Sequence, residues 1–461
     1  MTAKHQFDPT ILREYDIRGV VDESLSHDDA YAIGLGFGSM LIERGGSRAA
    51  VGYDGRLSSP TLHDAVVAGL RATGVSVTSI GMGPTPMLYY ATYALDVDGG
   101  IMITGSHNPA NYNGFKMVML KTSFYGDDIQ DLGARLARGQ VSHGAGDFNS
   151  VDIRSRYRQR ICEDFKATRR LKIVWDCGNG AAGEVLADLC AHVDADHTIL
   201  FGDVDGTFPN HHPDPTVAEN LDDLIAAVKT QQADIGIGFD GDGDRIGVVD
   251  DQGRIIWGDQ LLAILAEEVL GDFPGATVIA DVKASQALFD RINDLGGKPL
   301  MWRTGHSLIK SKMMETGAPL AGEMSGHIFM KDRYYGFDDA LYVAMRLAAR
   351  LAQSDEKLSA MRDRIADMVN TPEIRIDIDE AVKFSSIEAV KTWLVANRDH
   401  AVNDIDGVRV NTPDGWWLLR ASNTQNVLVA RCESSSPEGL ERLKAEVRAA
   451  LAAVSIVTDA L

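Results

Sequence analysis

Three short stretches of this chain share one pattern, an apolar run that closes on an aspartate and is followed by helical residues. They lie at 51–55, 173–178 and 278–283 of the 461-residue sequence. Apolar runs of this length that stop at polar turn residues are typical of buried strands, and helix-period segments alternate with them up to about residue 365. The recurrence predicts three related α/β units with largely parallel sheets.

The last part of the chain has a different pattern. Residues 373–378 alternate as a strand, 385–397 have helical periodicity, and Ser436 caps a final helix that runs to about residue 454. Further short strands are predicted at 408–410, 415–419 and 426–432. This is an α+β module in which we expect antiparallel pairing. The predicted domains are 1–152, 153–254, 255–367 and 368–461.

Composition excludes several classes of partner. The formal net charge is −21, which argues against nucleic acid and against an anionic membrane, because both require a basic surface. An anionic substrate must therefore be held by a local cluster of Arg and Lys. The four cysteines form no CxxC pair, no apolar run approaches the roughly 20 residues that span a bilayer, and residues 1–9 show no signal region. We expect reduced thiols and a cytoplasmic protein.

The strongest chemical motif follows an apolar strand at 235–239. Asp240, Asp242 and Asp244 alternate with glycines, so the backbone can fold tightly and bring three carboxylates together. Unpaired, they would repel one another, and Mg²⁺ suits few carboxylates plus a phosphate oxygen. An EF-hand is excluded because Arg245 stands where that loop needs Gly and Asp251 where it needs Glu. A solvated acidic turn is the simpler alternative.

A serine follows another buried strand. The apolar run at 100–103 breaks at Gly105 and exposes Ser106, and Pro109 prevents further sheet. A hydroxyl at the end of a strand is well placed for a nucleophile or a phosphate carrier. Lys116, ten residues further on, can return to the same place, although a lone lysine there would be an ordinary surface residue.

Two polar loops complete the set. Residues 322–327 alternate Glu, Ser and His between glycines and offer donors and acceptors suited to sugar hydroxyls. Residues 420–426 combine a guanidinium, two hydroxyls and an amide, which suits a phosphate. The simpler interpretations are a connecting loop and a hairpin turn. Residues 178–183 also fit GxGxxG with Asp203 about 20 residues on, but Asp176 and Asn179 favour a structural turn over a dinucleotide site.

Taken together, these motifs resemble the α-D-phosphohexomutase superfamily over the whole chain. Residues 322–327 are similar to the sugar loop of its bacterial phosphomannomutase/phosphoglucomutase branch. The resemblance implies three related α/β domains with mixed sheets and a C-terminal α+β domain, arranged around a central cleft.

The resemblance also implies a role for each matching residue. Ser106 is the expected phosphoserine and, with Asp240, Asp242 and Asp244, the expected Mg²⁺ site. The other expected catalytic residues are His107, Lys116 and Arg245. The expected substrate-binding residues are Tyr15, Arg18, Lys283, Arg303, His306, Glu323, Ser325, His327, Arg420, Ser422, Asn423 and Thr424.

The implied activity is reversible conversion of hexose 1-phosphate to hexose 6-phosphate, with mannose, glucose or both, through a phosphoserine and a hexose 1,6-bisphosphate. Glucose 1,6-bisphosphate or its mannose analogue is the expected activator, and the expected assembly is a monomer or homodimer. The general base is His107, Lys116 or His327. Phosphoglucosamine mutase remains an alternative, as does a phosphosugar-binding protein without turnover. A Mg²⁺-dependent phosphatase is a further alternative, since residues 240–243 match the DxDG of haloacid-dehalogenase-type hydrolases.

Overall fold

The computed structural model describes residues 4–379, 381–397, 401–422, 426–458 and 460. Within these residues, no helix combines the length and the apolar character needed to cross a bilayer.

The first unit is a seven-stranded sheet with helices on both faces. Its elements are β1 (Ile17–Val20), α1 (His27–Glu43), β2 (Arg48–Tyr53), α2 (Ser59–Thr73), β3 (Ser76–Met82), α3 (Thr85–Ala94), β4 (Gly99–Ile103), β5 (Tyr112–Met119), β6 (Thr122–Phe124), α4 (Asp127–Arg138) and β7 (Phe148–Ser150). The strand order is β1-β5-β4-β2-β3-β7, with β6 on β5. Helix α2 ends where Gly74 takes a φ of +102°, a conformation that favours glycine.

The second and third units have smaller sheets. The second contains α5 (Arg154–Cys162), β8 (Lys172–Asp176), α6 (Gly183–Cys190), β9 (Asp196–Leu200), α7 (Asp222–Gln231), β10 (Ile235–Phe239), β11 (Ile246–Asp250) and β12 (Ile255–Ile256). The third contains α8 (Gly258–Asp272), β13 (Thr277–Asp281), α9 (Gln286–Asp294), β14 (Lys298–Trp302), α10 (His306–Thr316), β15 (Leu320–Gly322), β16 (Ile328–Met330), α11 (Ala340–Ala352) and α12 (Leu358–Arg362).

The three units repeat one strand order, which confirms the related units and the mixed sheets expected from the sequence. The repeat is β3-β2-β4-β5 in the first unit, β9-β8-β10-β11 in the second and β14-β13-β15-β16 in the third. In each, the second strand is parallel to both neighbours, and the fourth is antiparallel to the third. The loop after the third strand is the serine loop (104–111), the metal loop (240–245) and the sugar loop (323–327), respectively.

The fourth unit is an antiparallel sheet with two helices, as expected. It contains β17 (Val369–Asn370), β18 (Ile374–Asp377), α13 (Lys383–Asn397), β19 (Ala401–Asn403), β20 (Val408–Thr412), β21 (Gly415–Ala421), β22 (Val427–Ser434) and α14 (Pro437–Ala453). Alternate residues of β21 face opposite sides. Trp417 and Leu419 pack in the core with α13 and α14, whereas Trp416 and Leu418 pack on Val282 of the third unit.

One buried core extends through the first three units, each of which also has a cluster of its own, and the fourth unit has a separate core. Tyr90 of α3 packs beside Tyr157 of α5, with 5.7 Å between ring centroids, and the Tyr157 hydroxyl donates to Asp339 at the start of α11. These contacts fix the relative positions of the serine, metal and sugar loops. The domain boundaries predicted from the sequence stay predictions.

Candidate active site

The hydroxyl of Ser106 lies against the metal loop of the second unit. The expectation that Ser106 is exposed is wrong, because the metal loop covers it and leaves it 1% exposed. Its Oγ donates to Asp240 Oδ2 at 3.0 Å and lies 3.2 Å from His107 Nδ1. Its φ is +50°, in the left-handed region that costs a non-glycine residue about 1 kcal/mol. The serine loop therefore needs contacts that hold it in this conformation.

The metal loop brings three carboxylates together, as its spacing predicts. Asp240, Asp242 and Asp244 are fully buried, and one oxygen of each lies within 4.8 Å of the others. The backbone N–H of Asp244 donates to Asp240 Oδ1 at 3.1 Å, which curls the loop on itself. A Cβ at Gly241 would lie 2.5 Å from the Ser106 carbonyl oxygen, so no side chain fits where the two loops meet.

The electrostatics of this triplet fit a divalent cation. Burial and the neighbouring carboxylates raise the pKa of Asp240 and of Asp244. Burial opposes ionisation of Asp242 too, but Lys116 and the hydroxyl of Thr85 hold its pKa below the usual value. In the described chain, Asp242 Oδ1 and Asp244 Oδ1 are buried without a hydrogen-bond partner. Such oxygens are suitable ligands for a hard cation.

Lys116 reaches the triplet from β5. Its Nζ donates to Asp242 Oδ2 at 2.8 Å and pairs with Asp244, and the residue is only 3% exposed. Burial alone would lower the pKa of Lys116, but Asp242 and Asp244 raise it above its usual value. The lysine is therefore a fixed positive charge against the acidic loop.

A second polar cluster joins the metal loop to the third unit. Arg245 Nε donates to His327 Nε2 at 3.0 Å. On its other side, His327 Nδ1 lies 3.2 Å from Asp338 Oδ2. His306 stacks on His327 with 5.5 Å between ring centroids, and Lys310 donates to Asp338 at 2.8 Å. Burial would raise the pKa of Asp338, but Lys310 and the two imidazoles hold it well below its usual value.

His107 and His306 both lie beside cations. Burial, with Arg245 and Arg18 nearby, lowers the pKa of His107 well below its usual value. Burial and Lys310 do the same for His306. Both imidazoles are therefore neutral near pH 7.

The sugar loop is tied to the segment before α10. Glu323 Oε1 accepts the backbone N–H of Gly305 at 2.6 Å, and the Tyr15 hydroxyl donates to the Thr304 carbonyl at 2.6 Å. A Cβ at Gly305 would lie 2.6 Å from the Tyr15 ring, so this glycine permits the contact between the first and third units. Ser325 and Arg303 are half-buried nearby in sequence.

The remaining predicted residues lie on the first, third and fourth units. Arg18 donates to the Asn108 side chain of the serine loop at 2.8 Å. Arg420 donates to Asp406 at 3.1 Å, and Ser422 is buried two residues further on. Lys283 pairs with Glu373 of the fourth unit at 2.7 Å. Asn423 and Thr424 lie outside the described residues.

Sequence reasoning missed three residues of the site. Thr85, at the start of α3, donates its hydroxyl to Asp242. Arg56 binds the serine loop, and Asp338 holds His327 and Lys310. None of them belongs to a local chemical motif. Arg56 and Thr85 do, however, follow the carboxyl ends of β2 and β3, which share one edge of the sheet with β4 and its serine loop.

The glycine-rich turn at 178–183 supports the metal loop. The Ala181 N–H donates to the Gly241 carbonyl at 2.9 Å, and the Asn179 side chain donates to the Asp203 carbonyl at 2.8 Å. This arrangement agrees with the structural turn favoured by Asp176 and Asn179. A buried serine beside an acidic triplet, with Lys116 on the triplet and Arg18 on the serine loop, has the donor set of a phosphoryl-transfer site.

Comparison with known proteins identifies the family. Profiles of the phosphoglucomutase/phosphomannomutase family match all four units: alpha/beta/alpha domain I at 9–138, domain II at 155–253, domain III at 257–368 and the C-terminal domain at 373–450. The chain belongs to the phosphoglucomutase/phosphomannomutase family, which confirms the resemblance found in its motifs.

Individual relatives agree over nearly the whole length. The chain is 47% identical over 448 residues to a phosphomannomutase/phosphoglucomutase of Pseudomonas aeruginosa, covering 96% of each protein. It is 43% identical over 447 residues to a phosphoglucomutase of Neisseria meningitidis, again covering 96% of each. A crystal structure of a phosphoglucomutase/phosphomannomutase family protein from Burkholderia thailandensis superposes with a TM-score of 0.92 at 46% identity, covering 97% of this chain and 98% of that one.

Proposed function

We propose that this enzyme interconverts hexose 1-phosphate and hexose 6-phosphate by reversible phosphoryl transfer through phospho-Ser106. The observation that carries the proposal is the 3.0 Å contact between Ser106 Oγ and Asp240, beside the buried carboxylates of Asp242 and Asp244, each of which has one unpartnered oxygen. The names of the relatives from Pseudomonas aeruginosa and Neisseria meningitidis support the mutase activity.

The reaction needs two transfers in opposite directions. Phospho-Ser106 gives its phosphoryl group to the free hydroxyl of the hexose phosphate: the bond from phosphorus to Oγ breaks, one to the sugar oxygen forms, and the hydroxyl proton passes to a base. Of the three candidates for that base, His107 and His327 are retained, because Asp242 and Asp244 raise the pKa of Lys116 and keep its amine protonated. The hexose 1,6-bisphosphate then turns over, and its other phosphate returns to Ser106. Catalysis of this kind depends chiefly on positioning and charge stabilisation.

Asp240, Asp242 and Asp244, with an oxygen of Ser106 or of its phosphate, would hold Mg²⁺. The cation would offset part of the roughly −1.5 to −2 charges of a phosphoserine. Lys116 and Arg245 add fixed positive charge at the same place. These residues supply the local basic cluster that an anionic substrate needs in a chain with a net charge of −21.

We assign substrate binding to the remaining residues. Arg420, Ser422, Asn423 and Thr424 bind the phosphate that is not being transferred. Glu323, Ser325 and His327 bind sugar hydroxyls. Tyr15, Arg18, Lys283, Arg303 and His306 complete the binding surface. We further propose that the enzyme is a cytoplasmic phosphoprotein, either a monomer or a homodimer, and that hexose 1,6-bisphosphate activates it.

A coupled assay tests this proposal. Mannose 1-phosphate, glucose 1-phosphate and glucosamine 1-phosphate are compared with Mg²⁺ and a trace of glucose 1,6-bisphosphate. We expect turnover of the mannose or glucose substrate to exceed that of glucosamine 1-phosphate. Preference for glucosamine 1-phosphate would favour the phosphoglucosamine alternative, and release of free phosphate in place of isomerisation would favour the phosphatase.

A further inference from the structure

The guanidinium of Arg56 is buried against the serine loop and binds four carbonyl oxygens, three in the loop and one at the first residue of β5. Arg56 is 2% exposed. Its Nη2 donates to the carbonyls of Ser106 at 2.7 Å and Asn108 at 2.6 Å. Its Nη1 donates to the carbonyls of Pro109 at 2.5 Å and Tyr112 at 3.0 Å. One side chain thus connects the serine to the beginning of β5.

Arg56 is itself held from two sides. Its Nε lies 3.2 Å from Asp54 Oδ2, the carboxylate that closes β2 and also accepts the Gly105 N–H at 3.1 Å. The Phe208 ring of the second unit lies 5.2 Å from the guanidinium carbon. The side chain is therefore fixed before any substrate binds, which is the condition for placing another group accurately.

The serine loop requires a group of this shape. Four carbonyl dipoles converge on one place while Ser106 holds a φ of +50°, so without a cation the loop would relax away from this conformation. A planar guanidinium can donate to all four, whereas an ammonium group has one nitrogen and cannot span them.

The position before the serine gives independent support. A Cβ at Gly105 would lie 2.4 Å from the Arg56 guanidinium carbon, and its nearest contacts are all atoms of Arg56. Gly105 does not have a positive φ, so the backbone itself permits alanine. The glycine is therefore needed because Arg56 packs against the loop.

We propose that Arg56 is a positioning residue for phosphoryl transfer. It holds the serine loop so that Ser106 Oγ, and the phosphate that Oγ carries, stay beside the acidic triplet. The inference rests on the proposed phosphoserine mechanism. It assigns to Arg56 no contact with substrate, so its loss acts on transfer and leaves phosphosugar binding largely unchanged.

The test compares Arg56→Lys with Arg346→Lys. Arg346 is also 2% exposed and multiply bonded, but its partners Asp332, Glu268 and Tyr342 lie outside the site. For each purified variant, kcat, KM for the hexose 1-phosphate, melting temperature and the rate of Ser106 phosphorylation by hexose 1,6-bisphosphate are measured. We expect Arg56→Lys to lower kcat and the phosphorylation rate about 100-fold, with KM changed less than about threefold.

Arg346→Lys is expected to lower the melting temperature and to keep kcat. The inference is overturned if Arg56→Lys keeps kcat, or if its kcat falls no more than that of Arg346→Lys at equal loss of stability. A rise in KM with unchanged kcat would also overturn it, because that result would place Arg56 in substrate binding.

Gly105→Ala keeps the test valid if Arg56→Lys does not fold. The added methyl displaces the guanidinium, so we expect the same loss of kcat with KM retained. In the double variant Gly105→Ala/Arg56→Lys, the added methyl no longer meets a guanidinium. The losses of kcat in the two single variants should therefore not add. Full kcat in Gly105→Ala would contradict the inference. Wild-type enzyme run in parallel distinguishes failure of the Arg56 inference from failure of the proposed function. If wild type is not phosphorylated on Ser106, the proposed function is refuted.

Discussion

The position of the Ser106 hydroxyl is set by residues that are distant in the sequence. Its acceptor, Asp240, lies 134 positions further on, and Lys116 reaches over 126 positions to Asp242. Each motif is local, but the chemistry appears only where two motifs meet. Changes at single residues should therefore separate metal binding, phosphate binding and transfer.

Thr85 offers a test of metal binding. Its hydroxyl donates to Asp242, and its backbone N–H donates to the Asp242 carbonyl at 2.8 Å. Thr85→Val keeps the shape and removes the donor, so Asp242 loses the group that orients it. We expect the Mg²⁺ concentration for half-maximal activity to rise about 10- to 100-fold. Thr85→Ser, which keeps the hydroxyl, should remain near wild type, and equal effects of the two variants would contradict this role.

Arg420 offers a test of phosphate binding. The guanidinium is 5% exposed and is oriented by Asp406, which also accepts the Thr304 N–H at 3.0 Å. Because charged hydrogen bonds contribute about 1.5–3 kcal/mol, Arg420→Ala should raise KM at least about tenfold for every hexose phosphate. Steady-state kinetics on the mannose and glucose substrates check this. A change confined to one epimer would mean that Arg420 contacts the sugar instead of the phosphate.

At the scale of elements, the repeated units explain why three functional loops meet. Each follows the third strand of the same four-strand order, so the fold places them at equivalent points. The supporting turns repeat less strictly. The aspartate after the second strand accepts a backbone N–H of the functional loop in two units, where Asp54 binds Gly105 and Asp281 binds Met324. In the second unit the equivalent Asp176 pairs with the His211 side chain.

The His211 contact predicts a pH dependence of stability. Burial alone would lower the pKa of His211, but its hydrogen bond to Asp176 and that carboxylate's charge raise it. A raised pKa in the folded state stabilises the protein fully below the unfolded value of about 6.5, and this contribution is lost as pH rises through the folded value. The urea midpoint of wild type should exceed that of His211→Gln most near pH 6.

The advantage of wild type over His211→Gln should shrink as pH rises. A difference that is constant between pH 6 and pH 9, or that grows with pH, would show that His211 is neutral in the folded protein. Titration of the His211 ring by NMR in Asp176→Asn provides the control, since its pKa should fall when the carboxylate is removed.

The elements that sequence reasoning predicted are those with local signals. The helix at 437–453 begins at the Ser436 cap, and the strand at 235–239 is a continuous apolar run bounded by Asp and Gly. Asp338 lay beyond such reasoning, because nothing near it in sequence marks a partner for His327. Arg56 follows the aspartate that closes β2, and nothing in its local sequence indicates a role. Its four carbonyl partners exist only after β2, β4 and β5 pair.

At the scale of the whole molecule, a buried cation helps attach the fourth domain, together with the packing of Trp416 and Leu418 on Val282. Arg409 is fully buried, donates to the Val282 and Ala284 carbonyls at 2.7 and 2.8 Å, and lies 3.7 Å above the Trp416 ring. Burial lowers the pKa of Arg409 to about 9. The strand that carries Arg409 pairs with the strand that carries Arg420, so this attachment places Arg420, the residue that we propose binds phosphate.

Arg409→Ala should therefore loosen the fourth domain. We expect faster amide exchange in β20 and β21 and a KM for hexose phosphate raised about tenfold, because leaving two carbonyls without donors costs about 1–3 kcal/mol. Lys391→Ala, which removes an exposed ion pair with Asp404 in the same domain, is the control and should change neither. Wild-type KM and exchange in Arg409→Ala would contradict this attachment.

The central claim is that Ser106, placed beside the acidic triplet, carries the phosphate. The most direct measurement incubates the enzyme with Mg²⁺ and hexose 1,6-bisphosphate labelled with ³²P, quenches it and maps the labelled peptide. We predict one labelled site, Ser106, with no label in Ser106→Ala, while that variant stays folded. Label on Asp240, or turnover of Ser106→Ala near the wild-type rate, would contradict the claim.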